Sequence, residues 1–215
     1  TTEFTKQDEI QKQQEEQKES SKIFSEIMPK FMQESKKISN AHKGTLVHLC
    51  IQRLREEKDY TLKDIQEMIQ DLAEKQIITT EEAKSIDAKL VFGYTKSQLF
   101  QELKEAKEIH KEQPFYISLP AKEIIKEAKE ANSEKEVLVQ GIMDLFYINS
   151  NNQLILVDFK TDYVGKEKNA KEKIVEKYKT QLEIYQKALE QALNRKVDKV
   201  VLCLANANWE EVIIS

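Results

Sequence analysis

Residues 136–162, EVLVQGIMDLFYINSNNQLILVDFKTD, decide the fold: two runs rich in Val, Ile, Leu and Phe flank Asn149-Ser150-Asn151-Asn152, a cluster of turn-forming residues. The pattern predicts a β-hairpin. Strand side chains alternate between faces, which places Ile142, Asp144 and Phe146 on one face of the first strand and Leu156, Asp158 and Lys160 on one face of the second. Asp158 and Lys160 therefore point the same way. A carboxylate and an ammonium at the end of an apolar strand are costly unless they are paired, hydrogen-bonded or bound to metal. Taken in isolation, Asp158-Phe159-Lys160 also fits a surface salt bridge at a strand end. Two carboxylates and a lysine on neighbouring strands are, in addition, the minimal set for metal-assisted phosphodiester cleavage. In that chemistry hard oxygen ligands hold Mg²⁺ and an ammonium steadies the attacking water.

Upstream of the hairpin, PFYISLP at residues 114–120 alternates like a strand, with Phe115, Ile117 and Leu119 on one side. Residues 121–133 read as a polar Lys/Glu-rich connection. Residues 60–110 read as three helices: Thr61 starts the first with Asp64 placed for capping, Thr80 precedes Glu81-Glu82, and Thr95 caps the third. Residues 41–57 show helical periodicity, with Val47, Cys50, Ile51 and Leu54 as the buried stripe and His48 beside it. Periodicity leaves His48 open between an inward-facing core histidine and a ligand, and it leaves His42 and His110 in polar, solvated surroundings. Residues 1–20 are rich in Gln, Glu and Lys and nearly without apolar side chains, so they cannot offset the entropy of ordering. An apolar set from Ile23 to Met32 suits a short docked helix broken near Pro29.

Downstream, residues 163–180 carry six lysines against three glutamates. That local basic excess suits either a phosphate backbone or a solvated helix start. The helix continues through YKTQLEIYQKALEQAL, burying Leu182, Tyr185, Ala188, Leu189 and Leu193. It sets Tyr178, Gln181 and Tyr185 on one face. KVDKVVLCL and EVII, at residues 196–204 and 211–214, close the sheet. The domain pattern is a linker or solvated helix at 1–30, a helical region at 31–110, and a core sheet with its helix at 111–215.

Composition sets the limits. At 215 residues, 40% of them hydrophobic, the chain is long enough to bury a core. With 33% charged residues and a net charge of −4 it reads as a soluble, cytoplasmic protein with no membrane association. The mildly acidic balance argues against tight non-specific DNA binding by this segment alone, so any grip is local or borrowed. Cys50 and Cys203 lack CxxC spacing, which excludes a zinc cluster or a disulfide framework and leaves buried free thiols. There is no G-x-x-x-x-G-K-[ST] loop, and hence no ATP-driven motor in these residues.

The spacing of Asp144 and Asp158-x-Lys160, with thirteen residues between the two aspartates, resembles the PD-(D/E)XK nuclease superfamily. There the first acid and the (D/E)xK pair lie on adjacent strands of a small mixed sheet flanked by helices. Gly44-Thr45-x-x-His48 resembles the G-T-x-x-H of the RecB branch, and Gln181-x-x-x-Tyr185 its Q-x-x-x-Y signature. Glu112 in EQPF resembles a Glu-x-x-Phe of relatives. The segments KFMQESKKISNAHKGTLVH, EQPFYISLPA, VQGIMD, LVDFKTD and YKTQLEIYQKALE occur in the order found in the C-terminal nuclease domain of the AddA family of helicase-nucleases, over roughly residues 30 to 215. The absence of a Cys cluster separates the chain from relatives that carry an iron–sulfur centre, among them AddB, the partner of AddA.

The resemblance implies an α/β (α+β) restriction-endonuclease-like fold. It also implies a metal site of His48, Asp144, Asp158 and the Phe159 carbonyl, holding Mg²⁺, with Mn²⁺ admitted by the imidazole. Lys160 would orient and help deprotonate water, Gln181 and Tyr185 would position the strand, and Glu112 and Tyr178 would be accessory. The implied partners are DNA, helicase domains of a longer chain and an AddB-like protein. The implied activity is exonucleolytic hydrolysis of a 3′-ended single strand in double-strand break repair and homologous recombination. Two rival readings are a catalytically inactive module for DNA or protein docking, and a free-standing restriction-like nuclease.

Overall fold

The computed structural model describes residues 38–121, 135–165 and 169–214. The expected N-terminal linker and docked helix, the connection at 122–134, and Lys166 and Lys168 of the basic run lie outside the described residues. Among the described residues the first helix, α1 (Asn40–Arg53), buries Leu46, Val47, Cys50 and Ile51, the i, i+1, i+4, i+5 stripe that the periodicity requires. It ends four residues before the expected boundary, where the Leu54 amide donates to Ile51 O at 3.1 Å.

Four helices, not three, follow before the sheet: α2 (Leu62–Glu74), α3 (Thr80–Ser85), α4 (Ala88–Tyr94) and α5 (Gln98–Lys104). Thr61 and Asp64 form a reciprocal capping box at the start of α2, as expected. For α3 the cap is Thr79 rather than Thr80, since Glu82 must sit three residues on to return the hydrogen bond. Thr95 ends α4 instead of starting a helix: its hydroxyl donates back to Phe92 O at 2.7 Å. Ser97 is the residue that accepts from the Phe100 amide to open α5.

Among the described residues the strands are β1 (Glu108–Pro120), β2 (Glu136–Ile148), β3 (Leu154–Lys160), β4 (Lys199–Leu204) and β5 (Glu210–Ile213), paired in that spatial order. β3 and β4 are parallel, joined through the long helix α6 (Ala170–Leu193), and every other pair is antiparallel, giving a mixed sheet. β1 begins six residues earlier than the Pro114 start expected, because residues 108–111 pair with 145–148. The β2–β3 turn is tied by hydrogen bonds between Asn149 and Gln153, with Asn152 at φ 62°, a conformation asparagine tolerates well.

Two apolar cores lie on opposite faces of the sheet. Helices α1–α5 pack with Leu145, Tyr147, Ile155, Val157 and Phe159 on one face. Helix α6 packs Ile174, Leu182 and Leu189 with Leu154, Leu156, Val200 and Leu202 on the other. Leu193 is 44% exposed, so the α6 stripe ends at Leu189. Both cysteines are buried free thiols. No helix among the described residues is long and apolar enough to cross a membrane.

The alternation assumed for the hairpin breaks at Asp144. Ile109 and Leu145 pack with the α1–α5 core, whereas Phe115 and Met143 pack under α6, so β1 and β2 exchange faces together. The register stays continuous, Lys111 opposite Leu145 and Gln113 opposite Met143, and Glu112 between them takes φ 50°. As a result Ile142 does not share a face with Phe146: Phe146 is buried, and Ile142 is 52% exposed.

Candidate active site

The swap of faces opens a gap between β2 and β3. Their pairing runs only from Leu145–Val157 to Ile148–Leu154, and past it the Asp144 carboxylate takes the place of a backbone acceptor. Its Oδ2 accepts from the Phe159 amide at 2.8 Å, and its Oδ1 lies 3.2 Å from His48 Nδ1. His48 reaches this point because α1 approaches the end of β3 closely at Gly44, one turn before it. A Cβ on Gly44 would stand 2.6 Å from Thr161 Oγ1. Glycine at that position of the G-T-x-x-H segment is thus a close-approach residue that brings the imidazole to the sheet.

His48, Glu112 and Asp144 each present a ligand atom within 4.8 Å of the others. Neighbouring ligands of an octahedral ion bound at about 2.1 Å lie roughly 3 Å apart, so the 3.2 Å separation between His48 and Asp144 suits a shared cation. Two carboxylates and one imidazole match Mg²⁺ or Mn²⁺. A left-handed backbone at a non-glycine residue costs about 1–3 kcal/mol. At Glu112 that strained residue stands beside the other two ligand groups.

Asp158 stands outside this trio, on the α6 side of the sheet. It is 1% exposed, with Oδ2 2.7 Å from Lys160 Nζ. Among the described residues no donor makes a well-aligned hydrogen bond to the same oxygen, which leaves the Lys160 ammonium to balance its charge. Lys160 Nζ also sits 4.4 Å from the centre of the Tyr178 ring. Between the two acids, Phe159 buries its side chain against Tyr94 and Trp209. That anchor fixes the backbone on either side of it.

The charges in this cluster are displaced from their ordinary behaviour. Burial, reinforced by the Asp144 charge and opposed by Lys160, pushes Asp158 up to about 6. Burial also raises Glu112, with Asp144 adding to it. For His48, burial acts downward, yet the hydrogen bond and charge of Asp144 outweigh it and hold the imidazole above its ordinary value. For Lys160, burial is likewise outweighed, here by Asp158, so it remains an ammonium. Such opposed shifts gather where acid–base or metal chemistry is performed.

On α6, the Gln181 amide donates to the Tyr185 hydroxyl at 2.8 Å, and the Tyr185 ring packs edge-on against Phe115 at 5.2 Å. The Tyr178 hydroxyl donates to Asp162 Oδ2 at 2.8 Å, and Lys177 Nζ pairs with Asp162 Oδ1 at 2.7 Å. No sequence pattern singles out Asp162. Its partners lie fifteen and sixteen residues away across a loop, and no spacing rule links them. Lys171, from the same basic run, pairs with Glu210. The other histidines are not simply solvated: His42 Nε2 lies 2.6 Å from Glu82, and His110 stacks on Phe146 with ring centres 4.5 Å apart. A cleft of about 370 Å³ opens over the site, lined by His48, Glu112, Phe159, Lys160, Thr161 and Gln52 among others.

The family model described as PD-(D/E)XK nuclease superfamily matches residues 23–210. The chain is similar to the AddA-type subunit of the ATP-dependent helicase/nuclease from Thermoanaerobacter sp. (strain X514), 37% identical over 181 residues. It is also similar to the proteins of the same name from Clostridium botulinum (strain Kyoto / Type A2), 34% identical over 186 residues, and Clostridium novyi (strain NT), 32% over 177. These alignments cover 82–86% of this chain but 14% of each relative, so the chain spans about one seventh of their length. With the match to the family model spanning nearly the whole described region and the acid–lysine constellation at the mouth of the β2–β3 gap, the chain belongs to the PD-(D/E)XK nuclease superfamily.

Proposed function

We propose that this chain hydrolyses phosphodiester bonds of single-stranded DNA in a divalent-cation-dependent reaction, as the nuclease part of an ATP-dependent helicase-nuclease. The observation that carries the reading is the cluster of His48, Glu112 and Asp144 with the buried Asp158–Lys160 pair on the neighbouring strand, close enough for the charge of Asp144 to act on Asp158. His48, Asp144 and Asp158, with the Phe159 carbonyl and the accessory Glu112, would hold Mg²⁺ or Mn²⁺. When bound, the cation supplies Lewis-acid polarisation of a phosphoryl oxygen and a lowered pKa for its water. Lys160, held charged by Asp158, orients the attacking water and offsets the negative charge that develops on phosphate. Gln181 fixes the direction of the Tyr185 hydroxyl, which leaves that hydroxyl's proton for the strand, and Tyr178 walls the lysine.

Similarity to AddA-type proteins of ATP-dependent helicase/nucleases supports the wider setting. That setting is a 3′-ended strand delivered by helicase domains of a longer chain, an AddB-like partner, a cytoplasmic location, and a role in break repair and recombination. It likewise favours the 31–110 and 111–215 division as parts of one nuclease domain. A module kept only for docking has no use for a buried aspartate–lysine pair, whose desolvation cost nothing in docking repays.

The test is cleavage of an end-labelled single strand with Mg²⁺ or Mn²⁺. Asp158→Ala and Lys160→Ala are each expected to lower the rate by about 10²–10⁴-fold while circular dichroism stays that of the parent. Full activity in either variant would remove this mechanism.

A further inference from the structure

Beside the cleft over the metal-ligand cluster lies a second, larger groove of about 650 Å³. The two share Ala41, Gly44, Thr161 and Asp162 as a common wall, so they are adjacent compartments divided where Gly44 meets Thr161. None of the residues placed in the metal cluster lines the larger groove. It carries instead Tyr163, Lys43, Lys177, Asn40 and Asn206, together with the carboxylates of Asp87 and Asp162.

Both carboxylates are already engaged. Asp87 Oδ1 accepts from the Lys89 and Leu90 amides at the start of α4, and Asp162 is taken by Lys177 and Tyr178. Lys43 lies on the exposed side of α1. Tyr163 is 73% exposed, so its ring is open to stacking from solvent. Alternation of an exposed ring with lysines and amide side chains is the make-up of a surface that holds an unpaired nucleic-acid strand. Bases stack on the ring, and ammoniums and amides meet phosphate and sugar. A duplex offers no free base face to the ring.

We propose that this groove is a nucleotide subsite flanking the scissile phosphodiester, in which Tyr163 stacks an unpaired base and Lys43 contacts the adjoining phosphate. It rests on the nuclease reading above, and deepens it by giving the strand a path away from the metal cluster along the junction of α1 with the loop after β3. With the two acids engaged, binding is driven chiefly by stacking, and its salt dependence is shallow.

The experiment is titration of the chain with fluorescein-labelled decathymidylate, read by anisotropy in EDTA so that cleavage plays no part. Tyr163→Ala is expected to raise Kd about tenfold, within the range for loss of one base–aromatic stack, and Tyr163→Phe to stay within about twofold of the parent. Lys43→Gln should reduce the slope of log Kd against log salt by about 0.7, the value for one phosphate contact with a single strand. Thermal unfolding at the parent temperature shows that each variant is folded. Parent-like binding by Tyr163→Ala, equal loss in Tyr163→Phe, or no binding of decathymidylate by the parent would each overturn the subsite. Because the titration contains no metal, these results are read separately from the cleavage tests of Asp158 and Lys160.

Discussion

At 1% exposure, Asp158 is the residue whose charge costs most to keep, and burial is what pushes its pKa up to about 6. Its unfolded value is about 3.9. Between about pH 4 and about pH 6 the folded, metal-free protein therefore retains a proton that the unfolded chain has released, so its contribution lowers stability as pH rises through that window and then levels off. Glu112 is shifted in the same sense. Urea denaturation in EDTA checks this: between about pH 4 and about pH 7 the parent should lose more stability, or gain less, than Asp158→Asn, which has no proton to release. Identical pH profiles would mean that Asp158 is solvated. The residue scale also separates what could be foreseen from what could not. Asp158 and Lys160 on one face followed from strand alternation, and the structure has Lys160 Nζ 2.7 Å from Asp158. The placing of Glu112 beside His48 and Asp144 depends on a positive φ that no local preference for glutamate encodes.

Among the elements, the paired strands β1 and β2 and helix α6 meet through a stack that a glycine permits. A Cβ on Gly141 would lie 2.7 Å from Phe115 Cε1 and 3.6 Å from Tyr185 Cε1, and the Phe115 ring is the surface against which Tyr185 packs. Gly141→Val should therefore overpack this contact and destabilise the fold by about 1–3 kcal/mol, measured by urea unfolding. A stability within error of the parent would show that the Phe115 ring is free to move aside. Helix α1 uses the same device at Gly44 against Thr161. In both places the sequence shows only a glycine, and what approaches it is supplied by another element. The capping box of α2 was legible because Thr61 and Asp64 are three residues apart. The start of α5 falls at Ser97 and not at Thr95, because the Thr95 hydroxyl is spent on Phe92 O at the end of α4 and Ser97 is the residue set to cap a helix that buries Leu99 and Phe100.

For the whole molecule, the site proposed above would draw its ligands from four elements, α1, β1, β2 and β3, and cation binding and folding would then be linked. A divalent ion that binds the folded form alone adds about 2.7 kcal/mol of stability at a concentration 100 times its Kd. Mn²⁺ is accordingly expected to raise the unfolding temperature of the parent, and to do so far less in Asp144→Ala, which removes the group that touches both His48 and the Phe159 amide. An equal rise in both proteins would place the bound ions elsewhere. The same assembly explains the two-sided burial of β3, whose residues from Leu154 to Phe159 are all buried. Helices α1–α5 cover one face and α6 the other, so an acid on β3 is costly wherever it points and is held by a charged partner.

The sequence by itself determined the hairpin, the capped helix after Thr61, the long amphipathic helix and the common face of Asp158 and Lys160, because each is set by local pattern acting within a single element. Only the tertiary structure decided that β1 and β2 exchange faces at Glu112 and Asp144, that Asp162 gathers Lys177 and Tyr178, and that a second groove adjoins the cleft. Those features arise from contacts between residues far apart in the chain, where local conformational preference carries no information and close packing selects the arrangement.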